Sequence, residues 1–370
     1  MSGITNLDYA AMSGHTERLD WVDSAKGMSI ILVVMMYSVF NVGQDAEGVG
    51  LFHYVIGFAT PFRMPEFFLI SGLFLDQVLA RNWKAYADRR VVHYLYFYAL
   101  WAVIHIVLKV GILSADPLGA ANYLLWAVIE PYGVLWFIYL LAAFSLVAKI
   151  AYELRIPRWV VLAIGAALQM LPITTGSYLV DQFAEYFVYF YAGYMFAPWI
   201  FRLVDLALRH VGVTLAALLL YAVVNAALVF APGYAVLPEH IQMGTAALPG
   251  LHLALALIGS LALCVTAGLL SRLPFMGWLS WLGERSIVVY LAFVLPMSFA
   301  RIALGKLGLI DDVTLSSLIV MVFAIGASLA LYLLVQWTGR GKFLFERPAW
   351  AHLPGTKGSR SYQPAAVPAE

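Results

Sequence analysis

The chain has 370 residues, 63% of them hydrophobic and only 12% Asp, Glu, Lys or Arg, where an ordinary soluble domain carries about 25% charged residues. So few charges cannot cover a water-exposed surface of this size, and most of the outer surface must face lipid. A formal net charge of +1 excludes an electrostatic nucleic-acid footprint, and the single cysteine, Cys264, excludes a disulfide framework and any cysteine-based zinc or iron–sulfur site.

Residues 1–18 are polar and lack an apolar core followed by a small-residue cleavage site, so no removable signal peptide is expected. Apolar stretches long enough for a hydrocarbon core of about 30 Å then predict an all-α polytopic membrane protein of about ten transmembrane helices. They fall near 25–43, 52–79, 89–113, 132–152, 158–173, 182–201, 211–231, 247–270, 284–304 and 314–338. The stretch 158–173 is short, and 52–79 is long and interrupted by Pro61 and Pro65. Residues 120–129 are apolar but too short to span, and are expected to lie at the interface or to re-enter.

Eighteen of the 22 basic residues fall on alternate loops: Arg18 and Lys26; Arg81, Lys84, Arg89 and Arg90; Lys149, Arg155 and Arg158; Arg202 and Arg209; Arg272 and Arg285; and Arg340, Lys342, Arg347, Lys357 and Arg360. Cytoplasmic loops retain Lys and Arg, which predicts both termini on the cytoplasmic side. The expected organisation is a polar segment 1–18, a transmembrane domain 19–340 and a tail 341–370. Beyond Trp350 the tail lacks apolar residues and is expected to be disordered at its end.

A charge inside the bilayer is costly, so the ionisable residues within spans are the site candidates. In the first span Lys26 and Tyr37 are eleven residues apart, nearly three helical turns, so they share a face with about 16 Å of rise between them; Asp23 is one turn before Lys26 and able to pair with it. In the second, the run PFRMPEFFLISG sets Arg63 and Glu66 three apart around Pro65. It reads as a polar island of an Arg–Glu pair and proline-freed carbonyls, either a salt bridge locking helices or a pair of site residues. Ser71-Gly72 reads as a close helix approach or as part of that site. His105 in the third span and His252 in the eighth are general bases or hydrogen-bonding partners of a neighbouring helix, and His53 sits at the outer end of the second span. Glu130 and Trp136 lie near the outer face, and Asp181 and Glu185 are four apart at the start of the sixth span. With Tyr178, Tyr186, Tyr189, Tyr191 and Tyr194 they suit a hydroxyl-rich cavity for sugars. No pattern of metal ligands is present.

The runs VDSAKGMSIILVVMMYSV, PFRMPEFFLISGLFL, VLWFIYLL and WLGERSIVVYLAFVLPM, in that order over about residues 18–340, resemble the acyltransferase 3 family of integral membrane proteins. The resemblance implies a ten-helix enzyme of the bacterial inner (plasma) membrane that takes an acyl group, commonly acetyl, from acyl-CoA and delivers it to a hydroxyl, often on an envelope glycan. It places Lys26 on the family's basic position, with the role of holding the donor, and Tyr37 on the position of a histidine that acts in catalysis. Phe293 falls where many members have a second histidine. In the enzyme reading, spacing and the cost of intramembrane charge put Arg63, oriented by Glu66, at the oxyanion, and Tyr37 or His105 at the acceptor's proton. Glu130, Trp136, Asp181 and Glu185 are the acceptor-side residues. A catalytically impaired member acting as a membrane carrier or binding protein is the alternative, because a phenol of ordinary pKa about 10 is a poor general base.

Overall fold

The computed structural model of the chain describes residues 20–308 and 310–361. The expected polar segment 1–18, with Arg18, and the last tail residues 362–370 lie outside them. The described residues are helical apart from loops and one two-stranded antiparallel hairpin, β1 (Ala235–Val236) and β2 (Ile241–Gln242). The helices are α1 (Asp20–Ala46), α2 (Leu51–Ala59), α3 (Arg63–Gly72), α4 (Asp76–Leu79), α5 (Trp83–Ala87), α6 (His93–Ile106), α7 (Pro117–Trp126), α8 (Trp136–Glu153) and α9 (Arg158–Met170). They continue with α10 (Tyr178–Arg209), α11 (Val211–Val229), α12 (Pro249–Ser271), α13 (Gly277–Glu284), α14 (Ser286–Ala292), α15 (Val294–Leu307) and α16 (Val313–Thr338).

Among the described residues, seven helical segments are long and apolar enough to cross a membrane, and an eighth follows if α14 and α15, bent by 54°, count as one span. The other two expected spans take different forms. The stretch 52–79 divides into α2, α3 and α4, and 158–173 shortens to the 13 residues of α9. The expected short interfacial piece is α7, started by Pro117 and by Asp116 accepting from the Gly119 amide at 2.8 Å, with Leu118, Leu125 and Trp126 exposed.

Two breaks shape the interior. Pro61 has no amide hydrogen to continue α2, and the chain restarts as a helix at Arg63. Pro65 then falls in the first turn, where a missing amide costs no hydrogen bond. The Phe58 carbonyl at this break accepts from Asn225 Nδ2 at 2.8 Å, as a broken helix inside a membrane requires. The second break lies between α14 and α15, where Pro296 cannot bond the Ala292 carbonyl and the axis bends at Phe293.

Small residues let the site-bearing helices close up. A Cβ on Gly72 of α3 would strike the Phe190 carbonyl of α10, and one on Gly193 of α10 would strike the Leu69 carbonyl of α3, so the two backbones touch at a mutual glycine crossing. The described part of the tail runs through Ser361. It folds back on the bundle, with the Leu344 carbonyl accepting from Trp101 Nε1 at 2.9 Å and the Leu353 amide donating to Asp88 Oδ1 at 2.7 Å.

Candidate functional site

The two helix breaks converge on Tyr37. The Phe293 ring sits 5.6 Å from the Tyr37 ring, centroid to centroid, and Trp136 Nε1 donates to the Tyr37 hydroxyl at 3.4 Å. Arg63, at the first turn of α3, lies within electrostatic range of Tyr37, Glu185 and Tyr186. Its Nε and Nη1 are buried and have no hydrogen-bond partner among the described residues. Buried polar atoms are nearly always paired, so a guanidinium with two idle donors marks a place for a ligand oxygen. Trp136 packs on Tyr186 at 5.4 Å and edge-on to Tyr178 at 6.1 Å. Tyr178, 45% exposed, opens this cluster outward.

The expected Arg63–Glu66 pair does not form. Glu66 is fully buried and accepts from Ser29 Oγ of α1, with Cys264 of α12 nearby. The two side chains start about 60° apart around the helix, enough for each to meet a different neighbour. Arg63 lies instead within electrostatic range of Glu185 and Tyr186 of α10.

The remaining candidates separate. Trp136 and Glu185 join the Tyr37–Arg63 cluster. Glu130 instead accepts from Ser177 Oγ at 2.5 Å and the Leu179 amide at 3.1 Å, closing the start of α10. Asp181 accepts from the Thr175 amide and hydroxyl, both at 2.8 Å, a loop closure. His105 is buried against Trp101, and its Nε2 has no hydrogen-bond partner among the described residues. His53 uses both ring nitrogens, on the Gly50 amide and the Pro238 carbonyl, each at 3.1 Å. His252 binds Gln169 at 3.1 Å. None of these three histidines has a hydrogen bond or ring contact with Tyr37 or Arg63 among the described residues.

Lys26 pairs with Asp23 at 3.1 Å and lines a separate cavity of about 660 Å³, a volume in the usual range for small-molecule sites. Five further cations line it: Arg81, Arg89, Arg90, Arg347 and Lys357. Its two carboxylates are already occupied, Asp88 by Arg347 at 2.6 Å and Glu284 by Arg285 at 2.9 Å. Arg89 lies within electrostatic range of Arg81 and of Arg90, and among the described residues none of the three has a carboxylate within 4.0 Å. Asp88, Arg89 and Arg90 occupy a π-helical turn, Asp88–Val92, a widening often found at functional sites. Such a mouth attracts a multiply charged anion.

An aromatic layer joins cavity and cluster. Phe67, Phe137 and Tyr290 line the cavity, with Phe137 stacked on Phe67 at 4.6 Å and 5.6 Å from Tyr290. Beyond them Phe68 packs on Phe137 at 4.5 Å and on Tyr186 at 5.3 Å. The sequence marked Arg81, Arg89, Arg90, Arg347 and Lys357 only as loop charges; the one signal available for the cavity was that the second loop carries four basic residues, three of these among them, the densest group between spans.

This fold and site define a polytopic membrane protein with a cationic cavity beneath a buried tyrosine–arginine cluster. The acyltransferase domain of the acyltransferase 3 family matches residues 19–337, and the chain belongs to that family. No curated protein and no solved structure matches the chain. Membership makes it an integral membrane acyltransferase in general.

Proposed function

We propose that the chain transfers an acyl group, acetyl by preference, from acyl-CoA to a hydroxyl of an envelope glycan or similar acceptor at the bacterial inner membrane. In this reading the path crosses the membrane ten times, with α2–α4 and α9 completing the count, and the cationic cavity faces the cytoplasm. The observation that carries it is the unsatisfied Arg63 guanidinium joined by an aromatic layer to a cavity lined by six Lys and Arg side chains. A thioester donor needs both: cations for its phosphates, and a low-dielectric passage that admits pantetheine but not bulk water.

The steps follow from these positions. The donor's phosphates rest on Arg81, Arg89, Arg90 and Lys26, and its thioester reaches the Tyr37 cluster past Phe137 and Tyr290. The acceptor enters beside Tyr178 and Trp136, and its hydroxyl oxygen attacks the thioester carbonyl carbon. Arg63 Nε and Nη1 donate to the oxyanion that forms, the largest single contribution in such reactions, about 100- to 1,000-fold per donor. Glu185 takes the hydroxyl proton and Tyr37, fixed by Trp136, orients that hydroxyl. The carbon–sulfur bond then breaks, the thiolate leaves as CoA, and the proton on Glu185 returns to it.

One observation favours a second reading, a carrier on the same scaffold: Tyr37 and Phe293 stand where the resemblance expects histidines. A carrier moves its substrate without acyl-CoA and tolerates Tyr37→Phe. Proteoliposomes given radiolabelled acetyl-CoA and envelope glycan separate the two. Label on the glycan, lost in Arg63→Met, supports transfer; substrate movement with no label transferred refutes it.

A further inference from the structure

The family match ends at residue 337, yet residues beyond it complete the cationic cavity. Arg347, His352, Thr356 and Lys357 all line it, and the strap that carries them is built to hold its position. Asp88 is the anchor: Arg347 donates to its carboxylate and its carbonyl, both at 2.6 Å, the Leu353 amide donates to the same carboxylate at 2.7 Å, and His352 Nδ1 lies 3.1 Å from it. Arg347 and Asp88 are almost wholly buried, their side chains 4% and 5% exposed.

Past the anchor, the chain makes a stapled turn whose tip is Lys357. The Thr356 amide bonds the Leu353 carbonyl at 3.1 Å, the Ser359 amide bonds the Thr356 carbonyl at 2.9 Å, and the Gly355 amide bonds Ser359 Oγ at 3.0 Å and Ser361 Oγ at 2.8 Å. Gly355 and Gly358 hold φ of 79° and 103°, which side-chain-bearing residues rarely adopt. At Gly358 a Cβ would also meet the His352 ring. Lys357 is exposed to the cavity, and among the described residues no carboxylate lies within 4.0 Å of it. A lysine presented by a stapled turn into a cavity, with no carboxylate partner among the described residues, is a point charge suited to a phosphate.

We infer that the strap 342–361 is one wall of the anion site, and that Lys357 binds a phosphate group separate from the one held by Arg81, Arg89 and Arg90. The inference rests on the acyl-CoA reading above. A CoA-type donor carries a diphosphate and, on its ribose, an isolated 3′-phosphate. The three arginines suit the diphosphate, and Lys357, carried into the same cavity by the strap, suits the monophosphate. The strap thus makes this chain select full CoA over donors that lack the 3′-phosphate or end at a pantetheine arm.

The test is calorimetric titration of the full chain in neutral-lipid nanodiscs with CoA and with 3′-dephospho-CoA. Wild type is expected to prefer CoA about tenfold, the value of one charge-assisted hydrogen bond; Lys357→Ala is expected to bind both at the weaker level, and Lys357→Arg to keep the preference. Because Lys357 is exposed at a turn tip, the alanine variant does not threaten folding. If Lys357→Ala keeps the wild-type preference, the inference fails and the donor reading stands. If wild type binds neither compound, both fail. If wild type binds the two compounds equally, while phosphatidylglycerol nanodiscs raise thermal stability in a Lys357-dependent way, the cation serves a lipid phosphate and the inference is overturned.

Discussion

Tyr37 of α1 and Phe293 at the bend between α14 and α15 lie ring against ring, 5.6 Å between centroids. The resemblance to acyltransferase 3 members expects histidine at both positions, so the two differences from the family pattern are neighbours in space and fall in one place beside Arg63. Where that resemblance expects imidazoles the site holds a phenol and a phenyl ring, and in the proposed reaction the proton passes to Glu185, the carboxylate within electrostatic range of Arg63.

Glu185→Gln is therefore expected to lower acyl transfer by about 100- to 10,000-fold, the usual worth of a general base. Tyr37→His, which restores an imidazole at the same point, is expected to recover a large part of that loss in the double variant. Turnover of labelled acetyl-CoA in proteoliposomes reads both, and an unchanged rate in Glu185→Gln removes it from the proton path.

Arg63→Met and Arg63→Lys are both expected to reduce turnover by about 100-fold or more, because an ammonium cannot present two donors in fixed directions. Donor binding, which takes place in the separate cavity, is expected to stay at its wild-type level. Parallel titration and rate measurements check the split; equal losses in affinity and rate would place Arg63 on the donor instead.

Glu66→Gln keeps an acceptor for Ser29 Oγ and leaves Arg63 untouched, so it is expected to transfer at the wild-type rate. A fall like that of Arg63→Met would restore the coupling between the two that the geometry separates.

Lys149 holds the loop that carries Arg81. It is 1% exposed by side chain, donates to the Leu79 and Arg81 carbonyls at 2.8 and 2.9 Å, pairs with Glu153 at 2.5 Å, and sits among the rings of Trp83, Tyr86 and Tyr152. Lys149→Met leaves both carbonyls unpaired, at about 1–3 kcal/mol each. A lower thermal midpoint together with weaker CoA binding is expected, and weaker binding alone would show that Lys149 acts only through its charge.

What the sequence made legible follows from the cost of charge in lipid. Arg63 stood out because it is basic inside a span, and Tyr37, Trp136 and Glu185 do gather around it. Glu130 and Asp181 looked equivalent to Glu185, but each sits beside a loop with free amides and hydroxyls, and local hydrogen bonds claimed them. Glu66 was misread as the partner of Arg63 because spacing along a helix says two residues are close without saying which neighbour each faces. The cationic cavity was invisible for a different reason. Arg89 and Lys357 are far apart in the chain, and only the Asp88–Arg347 anchor brings them to one wall. In sequence both serve equally well as topology signals.

The most direct measurement is the thermal midpoint of the purified chain in neutral-lipid nanodiscs as acetyl-CoA is added. Selective binding to the folded state predicts a midpoint that climbs with ligand concentration, corresponding to about 2.7 kcal/mol at a hundredfold excess over Kd, kept in Arg63→Met and lost in the Arg89→Ala, Arg90→Ala double variant. A midpoint that does not move up to millimolar acetyl-CoA would contradict the assignment of the cationic cavity to an acyl-CoA donor.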